Sequence, residues 1–313
     1  MPWWLWAHVL SLEAPLVAVL WQSALAHAHG LTLPPMLGAG LALACWLIYV
    51  LDRTLDTLST DVVLDRRHVF YRRHRRFILL GVVPPAFAAL AWMALFVIPE
   101  GVLWQALGLS LLVALYLASW SAQGSRVWRD LLFSCAGLGA IMVIADMPLE
   151  PGYRFALSVM VLVVMALSFL RHFEIRLHVI PKETAAALLF ALGCTTATRF
   201  LSMPERWIEP MMECALLALI FACNLHGISL REKGEAGARH VPLVLGTLSF
   251  TIALLWMIHS GVIEGALRGP AQAALGVTVL HALLHRWRDR MSLDAYHVLA
   301  DLVLVLPLPL VWW

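Results

Sequence analysis

Apolar runs of about 18 to 25 residues recur along the chain, separated by short bursts of charge, and that length crosses the hydrocarbon core of a bilayer. Eleven runs are readable, at 4–26, 36–56, 77–98, 101–121, 127–147, 154–178, 183–202, 207–229, 241–261, 264–285 and 294–313. Backbone amides in lipid must find partners within the spanning structure, which leaves helices or a closed barrel. Barrel strands alternate apolar and polar residues over about ten positions, and these runs do not alternate. The spacing therefore predicts an all-α, polytopic transmembrane helical bundle. Charged residues make up only 13% of the chain, against about 25% in soluble domains. No linker is long enough to separate domains, so residues 1–313 are expected to form one integral membrane domain.

Charge sets the expected orientation. If the N-terminus is cytoplasmic, the loops after the even-numbered runs, with Arg53, collect 18 of the 22 basic residues. Arg154, Arg199, Arg206 and Arg268 remain on the other side. That asymmetry follows the positive-inside rule, and eleven spans would put the C-terminus on the side opposite the N-terminus. Residues 57–76 are expected to form a basic cytoplasmic loop. The tryptophans Trp3, Trp4, Trp6, Trp312 and Trp313 sit at the chain ends, as interfacial aromatics do. Ala26-His27-Ala28 mimics a signal-peptidase site, but no Lys or Arg precedes the apolar run and Glu13 interrupts it. The cysteines lack CxxC spacing and read as small buried residues. The expected partners are membrane lipids and phosphorylated ligands, and nothing favours nucleic acid.

The second run ends Tyr49-Val50-Leu51-Asp52-Arg53-Thr54-Leu55-Asp56. Asp52 and Asp56 lie four apart and share a helix face. Two carboxylates at this spacing can hold a Mg²⁺ that also bridges phosphate oxygens. Arg53, Arg66, Arg67, Arg72 and Arg73 follow, and the guanidinium fork suits a diphosphate. The same residues also suit plain aspartate–arginine pairing at the interface. The eighth run ends Asn224-Leu225-His226-Gly227-Ile228-Ser229-Leu230-Arg231-Glu232. Asn224 and Glu232 share a face, with His226, Ser229 and Arg231 nearby. They fit either a second polar half of a ligand site or a helix end with a snorkelling Arg231–Glu232 pair. Glu13 and Gln22 are costly in lipid and are expected to face the bundle interior. Asp301 lies deep with no evident partner, while Asp146 and Glu213 lie nearer the outer side. His27 and His29 fall on the side opposite His281 and His285, which argues against a paired-His haem site.

Taken together, the Asp52–Asp56 helix end, the basic run from Arg66 to Arg76 and the Asn224 helix end resemble the UbiA prenyltransferase superfamily. Its divergent bacterial members with a YxxDRxxD-type first motif are the nearest in pattern. Ile180-Pro181-Lys182-Glu183 and Arg290-Met291-Ser292-Leu293-Asp294 look like the same subgroup. The resemblance implies a bundle of nine to eleven helices in a bacterial inner membrane. It also implies Mg²⁺ as cofactor, and transfer of a prenyl group from a prenyl diphosphate, or other lipid diphosphate, to a small or lipid acceptor. By that resemblance Asp52 and Asp56 are metal ligands. Asp52, Asp56, Asn224 and Glu232 are then the catalytic residues, and Arg53, Arg66, Arg67, Arg72, Arg73, His226, Ser229 and Arg231 bind substrate. Ile48 and Tyr49 depart from the family's Asn and first Asp, and Asn224 and Ile228 stand near its second aspartate pair. The alternative is a non-catalytic lipid-binding or transport protein that keeps the fold.

Overall fold

The computed structural model describes residues 5–57, 66–117, 120, 137, 139, 141, 144, 158, 161–162, 181–202, 208–234, 240–263 and 265–312. Among the described residues the secondary structure is helical, with no strand. The helices are α1 (Leu5–Val9), α2 (Glu13–Ala28), α3 (Pro35–Asp56), α4 (Arg66–Phe77), α5 (Val83–Phe96), α6 (Glu100–Tyr116), α7 (Lys182–Ser202), α8 (Ile208–Glu232), α9 (Val241–His259), α10 (Arg268–Arg286) and α11 (Leu293–Val303). The runs expected at 127–147 and 154–178 lie outside the described residues, single positions excepted.

Six helical segments among the described residues are long and apolar enough to cross a membrane: Pro35–Asp56, Val69–Phe96, Lys182–Ser202, Ile208–Glu232, Val241–His259 and Leu293–Trp312. The exposed side chains include Leu80, Phe87, Trp92, Leu95 and Phe96 on one segment and Leu245, Ile252 and Trp256 on another. Water would not tolerate such a surface, and lipid does. The helices are compatible with an integral membrane protein.

Three departures from the sequence reading have physical causes. The basic stretch expected as a loop is helical from Arg66 onward, as α4, and runs into α5 through a π-helical turn at Ile78–Val82. Pro84 and Pro85 follow that turn; a proline has no amide proton and its ring crowds the carbonyl four residues back, so the ladder slips to wider spacing. The first apolar run is not one helix. It breaks between Val9 and Glu13, where Ser11 takes φ 55°. The last run breaks too: α11 ends at Val303 and a 3₁₀ segment resumes at Leu308–Trp312. Both breaks free backbone carbonyls that lipid cannot satisfy. The Trp46 indole donates to the Leu10 carbonyl at 3.0 Å, and the buried Trp21 indole donates to the Leu304 carbonyl at 3.1 Å.

Contacts gather the chain into two compact units, residues 1–46 with 182–313, and residues 47–181. In the first unit, α7 and α8 form the most extensive helix pair. Ala187, Ala191, Cys194, Thr195 and Thr198 of α7 are buried, and such small residues let helices approach closely where lipid supplies no hydrophobic drive. Glu13 at the start of α2 meets Asp301 in α11, and His29 beyond its end lies 3.4 Å from Glu213 near the start of α8, so α2 and α8 run antiparallel. In the second unit the C-terminal half of α3 is joined by α4, α5 and α6.

Candidate functional site

In the second unit, α3 ends with the acidic pair. Asp52 is buried and Asp56 half-buried, one helical turn apart, with Arg53 half-buried between them. The last turn is tightened by Thr54, whose hydroxyl donates to the Val50 carbonyl at 2.6 Å. Tyr116, at the end of α6, sits within electrostatic reach of Asp52, Tyr49, Asp56 and Arg53. Its ring lies 5.4 Å from that of Trp120. Carboxylates, a guanidinium and aromatic faces are thus gathered at one helix end. Along α4, Arg72 and Arg73 are exposed. The side chains of Arg66 and Arg67 lie outside the described residues, although their backbone is helical.

In the first unit, the candidates on α8 point in several directions. Asn224 donates through Nδ2 to Asp301 Oδ1 at 2.9 Å. About two turns further on, the Glu232 carboxylate lies 3.4 Å from His297 Nε2. Both contacts face α11, as residues eight apart on a helix should. Ser229 donates instead to Glu183 of α7, whose carboxylate also meets Lys233 at 3.3 Å. Arg231 donates to the Met291 carbonyl at 3.0 Å and reaches Asp289 at 3.6 Å. His226 stacks on His240, with ring centroids 6.0 Å apart. Asn224 and Glu232 therefore stay together along one face, while His226, Ser229 and Arg231 turn toward other helices.

Two polar groupings did not emerge from sequence reasoning. His226, His240 and His285 form a chain of rings, with His240 and His285 centroids 4.5 Å apart. His285 meets the Tyr296 hydroxyl at 3.3 Å and Arg288 at 3.1 Å. Burial pushes His240, which precedes α9, down to about 4, helped by His285, His226 and Arg288. The i, i+4 spacing of His281 and His285 was the visible signal, but His226 comes from α8 and His240 from the residue before α9. The second grouping is His8, Glu13, Asp301 and Asn224, with His297 packed on His8 at 5.3 Å between ring centroids. Here the signal was cost: two carboxylates within apolar runs need a partner.

A cavity of about 360 Å³ opens between α2 and the start of α3, lined by Gln22, Ser23 and apolar side chains. It lies at the end of α3 opposite Asp52 and has no charged lining. Comparison with protein-family models, curated proteins and solved structures finds no match to this chain.

Proposed function

We propose that the chain is a UbiA-like membrane prenyltransferase, moving a prenyl group from a prenyl diphosphate to a small or lipid acceptor. The observation that carries this reading is the gathering of Asp52, Asp56, Arg53, Tyr49 and Tyr116 at one end of a membrane-crossing helix. The donor set fits Mg²⁺: two hard carboxylate oxygens from adjacent turns, with the remaining positions left to water and phosphate. When bound, Mg²⁺ offsets charge on the diphosphate. Asp52 and Asp56 orient that end of the ligand, and Arg53 with the arginines of α4 binds its oxygens bidentately. Departure of diphosphate leaves an allylic cation, and the ring faces of Tyr116 and Trp120 stabilise positive charge nearby. A nucleophilic carbon or oxygen of the acceptor then forms the new bond, and its proton passes to water or a carboxylate.

The test is Mg²⁺-dependent release of diphosphate from radiolabelled geranyl, farnesyl and geranylgeranyl diphosphates, using protein in nanodiscs with a lipid extract. Wild type is expected to turn over at least one of them, and Asp52→Asn to lose about 100-fold or more, as expected when a charge-stabilising ligand is removed. No turnover from folded protein that still binds a diphosphate would sink the transferase reading.

A second reading, a lipid-binding or transport protein on the same architecture, has its own support. Asn224 and Glu232, which stand at the second acidic motif, are engaged by Asp301 and His297 inside the first unit. Under this reading Asp52→Asn weakens diphosphate binding without any catalysis to lose.

A further inference from the structure

We propose that His8, Glu13, Asp301 and Asn224 form a binding site for one first-row divalent cation of the Mn²⁺, Fe²⁺ or Zn²⁺ type, separate from the Asp52–Asp56 pair.

The site is built by the break in the first apolar run. In an unbroken helix, residues five apart point about 140° away from each other. His8 and Glu13 are five apart, yet His8 Nδ1 lies 2.7 Å from Glu13 Oε2. The left-handed Ser11 turns the chain between them and folds both side chains onto one spot. A non-glycine residue in that region is strained, and such strain persists only where surrounding structure holds it. Here the Trp46 indole holds the break by binding the Leu10 carbonyl at 3.0 Å.

The third member comes from α11. One ligand atom each from His8, Glu13 and Asp301 lies within 4.8 Å of the others, close enough for a single ion to draw them together. The Glu13 and Asp301 carboxyls are in hydrogen-bond contact. Two half-buried carboxyl groups in contact do not both carry uncompensated charge, so a proton, the His8 imidazole or a bound cation must offset it. Asn224 favours the cation. Its Nδ2 donates to Asp301 Oδ1 at 2.9 Å, while its Oδ1 is buried without a hydrogen-bond partner and the residue is only 4% exposed. A shared proton would leave that carbonyl oxygen unsatisfied; a metal ion would take it as a fourth ligand. Nearly all buried polar atoms have a partner, so an orphan amide oxygen on a side chain bonded to Asp301 points to a ligand position.

The donor set selects the ion. One imidazole nitrogen with two carboxylates and an amide oxygen is too poor in oxygen for Ca²⁺, and Mg²⁺ prefers to keep several waters. Mixed nitrogen and oxygen donors suit Mn²⁺, Fe²⁺ and Zn²⁺. His297 packs against His8, with ring centroids 5.3 Å apart, and lies 3.4 Å from Glu232. Bound there, the ion ties the start of α2 to α8 and α11.

The experiment uses full-length, tag-free protein carrying Asp52→Asn and Asp56→Asn, so the outcome is independent of the transferase reading. Protein in nanodiscs is stripped with EDTA, then titrated with Mn²⁺ or Zn²⁺ alone and counted by mass spectrometry after dialysis. The expected result is about one equivalent bound, with affinity at least about 10-fold weaker in Glu13→Gln and in Asp301→Asn, the lower range for perturbing a metal shell. Pulsed EPR of bound Mn²⁺ in the parent protein adds a readout that needs no acidic variant. It is expected to show one imidazole nitrogen coupling, which disappears in His8→Gln. No retained ion, equal affinity in both acidic variants, or a Mn²⁺ signal without nitrogen coupling would each overturn the site and leave Glu13–Asp301 as a proton-sharing pair.

Discussion

Single residues in this chain carry more information than their neighbours in sequence reveal. His240 is an example. Neither of its ring nitrogens has a hydrogen-bond partner, and the groups facing it are His226, His281, His285, Arg288 and the Tyr296 hydroxyl at the far side of Gly227. Burial and these neighbours hold it near 4, against an ordinary value of 6.5. A base with a lowered folded-state value binds fewer protons folded than unfolded. Its contribution to stability is therefore complete above pH 6.5 and is lost as pH falls toward 4. The loss is on the order of 2–3 kcal/mol. Chemical unfolding in mixed micelles at pH 7.5 and 4.5 should show a steeper decline for wild type than for His240→Gln. Equal slopes would mean that His240 is solvated in the folded protein. At this scale Glu13 and Asp301 were legible as interior groups, because carboxylates within apolar runs must face protein. Their meeting was not, since residues 288 positions apart share no local pattern.

At the scale of elements, apolar length gave most of the helices, and what it missed were interruptions. The break at Leu10–Leu12 contains neither glycine nor proline, but Pro15 in the first turn of α2 has no amide proton and crowds the Ser11 carbonyl, and a tryptophan from α3 binds the freed Leu10 carbonyl. The break after Val303 does carry Pro307 and Pro309, but a continuous apolar stretch of spanning length conceals it. Close approach between elements is equally hard to read. At Gly227 in α8, an added Cβ would come within 2.9 Å of the Tyr296 hydroxyl and 3.6 Å of His240. Tyr296 is buried on α11, so it cannot swing away freely. Gly227→Ala is expected to destabilise by about 1–3 kcal/mol despite the better helix propensity of alanine. Adding Tyr296→Phe removes the clashing oxygen and should recover part of the loss. The double-mutant cycle is read from unfolding midpoints in micelles; strict additivity would place the clash elsewhere.

At the scale of the whole molecule, the parity of membrane crossings can be argued from contacts within the first unit alone. Glu13, at the start of α2, meets Asp301 in α11, and His8 packs on His297, four residues earlier in the same helix. The far end of α2 behaves differently: the His27 ring lies 5.7 Å from Trp312. The N-terminal segment thus lies with the first half of the last span, and the final residues lie with the end of α2. If α2 and the last span both cross, residues 5–9 and Trp312 fall on opposite faces, which requires an odd number of crossings between them. The basic residues add the absolute direction, because an 18-to-4 imbalance favours a cytoplasmic N-terminus. A fluorescent reporter that matures only in the cytoplasm should therefore glow when fused before Met1 and stay dark after Trp313. A periplasmic phosphatase should give the reverse pattern. Two glowing fusions would require an even number of crossings, and the His8–His297 and His27–Trp312 contacts would then mean that neither α2 nor the last span crosses.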